Sequence, residues 1–172
     1  MAGSLKVFLI PEDTYGASFL KALINRLKAE GLLPPGVNIV KDWKLPGRCR
    51  PKLERMVKAA YDDYDRIIVV ADAEGRDVRG VRKELEIHIP DFCRPKVRII
   101  ILDYCIEEWV CVGLGVRFEE NPVRALKDYL RKQRGAKTDY HKYMLPDFVP
   151  ELDLDRLSSY GSFREFIGAL MP

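Results

Sequence analysis

The chain of 172 residues has two histidines, one glutamine, two tryptophans and four cysteines, and each scarcity narrows what it can be. Cys49, Cys93, Cys105 and Cys111 show no CxxC spacing, and neither His88 nor His141 stands in a metal-ligand spacing with them. A zinc site or disulfide framework is therefore not expected, and the thiols read as reduced residues of a cytoplasmic protein. No apolar run approaches the ~20 residues that a membrane helix requires, and Met-Ala-Gly-Ser leads straight into a strand pattern without a secretory leader, so no membrane association is expected. Walker A and GxGxxG patterns are missing, as are internal repeats and low-complexity tracts. Charge of one sign is also missing, since 29 basic residues against 26 acidic ones leave a net +3. Any argument for a polyanionic partner must therefore rest on where the charges lie.

What is present is an alternation of apolar runs and amphipathic segments. Residues 5 to 10, LKVFLI, read as a strand that stops at Pro11, and Asp13 or Thr14 can cap a helix running to Gly31. VNIV at 37 to 40 is a second strand, followed by a basic loop and a helix of about ten residues after Pro51. Residues 66 to 71 form a third strand, 78 to 88 a helix, and 97 to 102, VRIIIL, a fourth strand. Strands this continuously apolar, separated by helices, predict an α/β architecture with a mostly parallel central sheet flanked by helices. Residues 1–120 form this core, and 121–172 are expected as a helical and loop-rich C-terminal extension packed on the same domain. Within it Asn121-Pro122 caps a helix to about 134, 135 to 161 is loop-rich, and Ser162 with Glu165 makes a capping box for a last helix.

Three of the four strands run into acids: Glu12 and Asp13 after the first, Asp72 and Glu74 after the third, Asp103 with Glu107 and Glu108 after the fourth. In a parallel sheet the carboxyl ends of the strands are where ligands gather. Carboxylates crowded on one rim repel each other, and a hard divalent cation relieves that repulsion. If the strands are neighbours, Glu12, Asp72, Glu74 and one of Glu107 or Glu108 converge there. A single acid after a strand is more often a turn or cap residue, and Asp77 is expected to cap the helix at Val78.

The segments VFLIPED (7 to 13) and IIVVADAEG (67 to 75) resemble the two acidic motifs of the topoisomerase-primase (Toprim) domain. The likeness extends to small stand-alone Toprim-like proteins related to the OLD-family nucleases, through Ile106-Glu107-Glu108-Trp109, Tyr140-His141-Lys142 and Ser162-Phe163-Arg164-Glu165-Phe166. That resemblance implies a Toprim-like, Rossmann-like fold and Mg²⁺- or Mn²⁺-dependent hydrolysis of nucleic-acid phosphodiesters. Glu12 would be a metal ligand or general acid/base, Asp72 and Glu74 metal ligands, Glu107 a further acidic ligand, and Lys142 a phosphate contact, the plainer alternative being that Tyr140 and Lys142 pin the loop. It also implies a separate OLD-like ATPase as partner. The chain departs from the motifs in carrying Asp13 where glycine is common and Glu74 where aspartate is usual.

Basic residues cluster twice. KDWKLPGRCRPK, 41 to 52, holds five basic residues against one acid, with Lys41, Trp43, Lys44, Arg48 and Arg50 as candidate nucleic-acid contacts. Residues 122 to 142 add Arg131 and Lys132 among seven basic residues. The plainer alternative is a solvated helix face, with Trp43 folded onto the core; Trp109 is expected in the core. Two other functional readings stand beside the nuclease: a non-catalytic module that binds nucleic acid or a partner, and a small-molecule phosphohydrolase.

Overall fold

The computed structural model describes residues 3–47 and 51–172. Its elements run β1 (Leu5–Ile10), α1 (Thr14–Ala29), β2 (Val37–Asp42), α2 (Pro51–Ala60), β3 (Arg66–Asp72), α3 (Val78–Glu86) and β4 (Val97–Leu102), the last preceded by a 3-10 turn over Asp91–Lys96. Then follow α4 (Glu107–Leu114), α5 (Pro122–Arg134) and the shorter α6 (Leu145–Phe148) and α7 (Leu154–Ser158), with α8 (Gly161–Leu170) last. The four strands form one all-parallel sheet in the order β2-β1-β3-β4. The architecture is thus α/β, a parallel sheet flanked by helices, as the apolar runs predict.

Period-two alternation sorts the strand residues between two cores. Val7, Leu9, Ile68, Val70, Ile100 and Leu102 face one way, against α1, α4 and the C-terminal helices. Phe8, Ile10, Ile67, Val69, Ala71, Ile99 and Ile101 face the other way, against Leu53 and Val57 of α2 and Val81 and Leu85 of α3. Because both faces are covered, β1, β3 and β4 are mostly apolar at successive positions, whereas the edge strand β2 leaves Asn38, Val40 and Lys41 exposed.

Residues 121–172 pack into the first of these cores, with Leu126, Phe148, Phe163 and Phe166 all buried there. Part-buried backbone carbonyls at this junction are satisfied by an arginine of α1 and one of β3. Arg26 donates to the Val149 and Leu152 carbonyls at 2.5 and 2.7 Å, and Arg66 to that of Ala169 at 2.8 Å. Close approach also needs Gly113, where an added Cβ would lie 2.8 Å from Leu152 Cδ2 and 3.0 Å from its Cβ. Gly113→Ala is accordingly expected to destabilise the fold by about 1–3 kcal/mol through overpacking. A urea midpoint unchanged from the wild type would contradict this.

Caps fall where short polar side chains precede helices: Asp13, Asp77 and Asn121 each accept a backbone N–H at 2.7 to 3.0 Å. The expected capping box of the last helix does not form. Ser162 lies inside α8, and its Oγ accepts the Trp109 indole N–H at 2.9 Å, while Glu165 pairs with Arg82 at 3.2 Å. A buried indole without an acceptor costs more than a missing cap, and this decides the hydroxyl's use. The loop-rich stretch 135 to 161 likewise contains α6 and α7, too short to leave a periodic signal.

Candidate active site at the carboxyl ends of the strands

Register fixes the site. Ile10 of β1 pairs with Val69 of β3, and Asp72 of β3 with Leu102 of β4, so two residues beyond Ile10 the chain is alongside the end of β3. The Asp72 backbone N–H donates to Glu12 Oε1 at 2.9 Å, joining two strand ends 60 residues apart. Glu12 and Asp72 form the common wall of an open cleft and a small internal pocket. The cleft is completed by Glu74, Arg76, Glu84, Ile87 and His88; the pocket by Pro11, Asp13, Gly16, Ile106, Lys142 and neighbouring apolar residues.

Burial and the negative charges of Glu12 and Glu107 push the Asp72 carboxyl from 3.8 up to about 8, so this side chain keeps a proton where an ordinary aspartate is ionised. Glu107, at the first position of α4, is fully buried. Its Oε1 accepts the Tyr140 hydroxyl at 2.9 Å, and among the described residues its Oε2 has no hydrogen-bond partner. Burial and the Glu107 charge raise the thiol of Cys105 and the phenol of Tyr140 far above their ordinary range.

Of the two adjacent glutamates, only Glu107 belongs to the acidic group. Glu108 accepts the N–H groups of Asp103 and Tyr104 at 3.1 and 2.8 Å, closing the turn after β4. Burial nevertheless raises it to about 7.

Lys142 donates to Asp13 Oδ2 at 2.7 Å. Burial opposes charge on both partners, yet this ion pair and the Gly16 N–H hold Asp13 below 3.8, and the pair with the charges of Glu107 and Asp72 keeps Lys142 above 10.5. One lysine from the extension thus feels three acids that follow or end the strands, Asp13, Glu107 and Asp72.

Glu74 lies on the rim of the cleft in a turn tied across the strand ends. Its N–H donates to the Tyr104 carbonyl at 3.1 Å, and that of Gly75 to the Asp103 carbonyl at 2.8 Å. Both residues are left-handed, at φ 52° and 77°. Gly75 takes this freely; Glu74 does so against a cost of about 1 kcal/mol. Glu74→Gly is therefore expected to raise stability by up to about 1 kcal/mol, measured by urea denaturation. A loss of stability on this substitution would mean that the glutamate side chain holds the turn.

The basic candidates divide. Lys41, Trp43 and Lys44 lie at the end of β2 and in the loop after it, and Trp43 is 57% exposed, not folded onto the core. Arg48 and Arg50 lie outside the described residues. Arg131 faces Asp128 at 3.8 Å, and Lys132 lines a separate groove between α5 and residues 114–121. His88, isolated in sequence and read as surface or structural, stands in the cleft wall with Glu12 and Asp72. Only the packing of α3 over β3 reveals that position. Cys93, Cys105 and Cys111 carry no disulfide, and among the described residues no helix is long and apolar enough to cross a membrane.

Against protein-family models, curated proteins and solved structures, the chain has no match in any of the three.

Proposed function

We propose that this chain is a Toprim-like, Mg²⁺- or Mn²⁺-dependent nuclease that hydrolyses nucleic-acid phosphodiesters at the rim formed by Glu12, Asp72 and Glu74. The observation that carries this reading is that Glu12, held on the Asp72 backbone N–H at 2.9 Å, lines one cleft with the Asp72 and Glu74 carboxylates, with the buried, half-partnered Glu107 close enough to act on Asp72. Hard oxygen donors that repel each other are what a small divalent cation relieves. Among the described residues no three acidic, histidine or cysteine side chains form a ready-made metal-binding group, and none is required. Mg²⁺ is held by one or two carboxylates, its other positions taken by water and phosphate oxygens. Glu12 and Asp72 would hold the ion, Glu74 would reach it from the rim, and Glu107 would set its field from below.

A bound divalent ion supplies a water of lowered pKa and offsets charge on the phosphoryl oxygens. The protein's own part is to hold Glu12 on the Asp72 backbone, to exclude solvent from Glu107, and to keep Lys142 charged where a phosphate oxygen would lie. Asp13 orients that lysine. These 172 residues carry no Walker A motif, and an OLD-like ATPase is the partner that would supply any coupling to ATP.

The test is cleavage of labelled single-stranded DNA, duplex DNA and RNA by purified protein in Mn²⁺ or Mg²⁺. Turnover that EDTA abolishes and Asp72→Asn removes supports the proposal; no polymer cleavage at saturating Mn²⁺ overturns it. Hydrolysis of simple phosphoesters alone would select the small-molecule reading.

Lys142→Ala is expected to lower cleavage by about 10²-fold, the scale of removing one charge-stabilising group. The Lys142–Asp13 pair is about half exposed on the lysine side and contributes under about 1 kcal/mol to stability. Unchanged thermal unfolding with lost activity is therefore the expected signature, and unchanged activity would remove Lys142 from the site.

The second reading, a non-catalytic nucleic-acid-binding module, draws on the exposed basic and aromatic surface at Trp43. Salt-dependent binding without metal-dependent turnover would select it.

A further inference from the structure

We propose that the groove beside Trp43 binds an unpaired, single-stranded stretch of nucleic acid, leading it to the acidic cleft. The inference deepens the proposed function and rests on its nucleic-acid substrate.

The loop that carries Trp43 is anchored beside the site. The Trp43 N–H donates to the Leu9 carbonyl at 2.9 Å and the Leu45 N–H to that of Pro11 at 2.7 Å, so the segment follows β1 to the residue before Glu12. Leu45 is the residue that folds onto the core, at 1% exposure, while Trp43 stays outside it. Its indole forms one side of a surface groove lined also by Lys44, Pro46, Gly47, Lys52, Arg55 and Met56. The Lys41 ammonium lies 5.2 Å from the ring centroid.

Charge on this surface is one-sided. The nearby acids are occupied, Asp42 by Lys21 and Glu54 by Lys58. Among the described residues Lys41, Lys44, Lys52 and Arg55 make no ion pair, and all four are exposed. An exposed indole ringed by cations matches the two parts of a single-stranded nucleotide, a base face free to stack and a phosphate. A duplex presents the phosphates but hides its base faces in the stack. An acidic peptide would use the cations and leave the indole idle.

The experiment uses the full chain in EDTA with a short oligo(dT), a duplex of the same length and a poly-glutamate peptide. Trp109 is fully buried, so quenching of tryptophan emission reports Trp43. Oligo(dT) is expected to quench it, and Trp43→Ala to weaken oligo(dT) binding about tenfold in anisotropy, with Trp43→Tyr largely restoring it and duplex affinity unchanged. Wild-type affinity in Trp43→Ala, an equal loss for the duplex, or poly-glutamate binding as tightly as oligo(dT) would overturn the proposal. Because no metal is present, the result stands apart from cleavage. Stacking at Trp43 without nuclease activity would leave this inference standing and the nuclease fallen; cleavage with an indifferent Trp43 would do the reverse.

Discussion

Asp72→Asn is expected to make the protein more stable and inactive at once. In the unfolded chain Asp72 ionises near its ordinary 3.8, whereas burial beside Glu12 and Glu107 holds its proton in the fold until about pH 8. Between these values the fold binds more protons than the unfolded chain, so stability falls as pH rises through that window. Below about pH 4 both states are protonated and the cost vanishes; above about pH 8 it is fully present. Asparagine cannot ionise, so the variant's advantage should be small at pH 5 and grow to a few kcal/mol at pH 9. Glu108, raised in the same sense to about 7, remains in both proteins and leaves a shallower decline in the variant. Urea midpoints at pH 5, 7 and 9 measure this, and parallel pH curves for the two proteins would sink it.

The same carboxylate is where the proposed cation would displace a proton. Mn²⁺ should therefore raise the melting temperature of the wild type more at pH 8 than at pH 6, and that of Asp72→Asn hardly at all. Loss of cleavage in a variant that is more stable could not be blamed on unfolding. An active Asp72→Asn would take the metal-binding role away from this residue.

Trp109→Ala is the second large effect, a loss of about 3–5 kcal/mol. The indole is fully buried, meets Phe163 edge-on at 5.2 Å and Phe166 at 5.3 Å, and donates to Ser162. Removing it empties the seam between α4 and α8. Against a total of 5–15 kcal/mol for a domain, that loss consumes a large part of the stability. Trp109→Phe keeps the ring contacts and loses the indole donor, so it should cost less, about 1–2 kcal/mol. Circular dichroism in urea separates the three proteins; a Trp109→Ala midpoint equal to the wild type would refute the packing argument. Trp43→Ala, on an exposed side chain, should move stability by less than about 0.5 kcal/mol. The two tryptophans of this chain thus carry opposite burdens, one in packing and one on the surface.

Glu107 and Glu108 precede Trp109 on α4, and the fate of each shows where sequence reasoning stopped. Both are acids at the start of a helix, and helix periodicity alone does not tell them apart. The helix is rotated by the burial of Trp109, which sends Glu107 toward Tyr140 and Asp72 and Glu108 back to the backbone of Asp103 and Tyr104. His88 entered the cleft for a similar reason, since the direction in which α3 ends depends on its packing over β3. The Lys142–Asp13 pair spans 129 positions, far beyond any spacing rule. Ser162 had a local use as a cap and a tertiary use as an acceptor, and the buried indole won.

What the sequence by itself determined is therefore the sheet and the acids on its rim. Runs such as Ile67–Ala71 are apolar at every position because both faces of a parallel sheet are buried, and strand ends must release Glu12 and Asp72 at the same edge. Only the tertiary structure decided which acids meet, that Asp72 keeps its proton, that Lys142 joins them, and that Leu45 and not Trp43 goes inside. Those outcomes depend on distance and desolvation between residues remote in sequence, and no local pattern encodes either quantity.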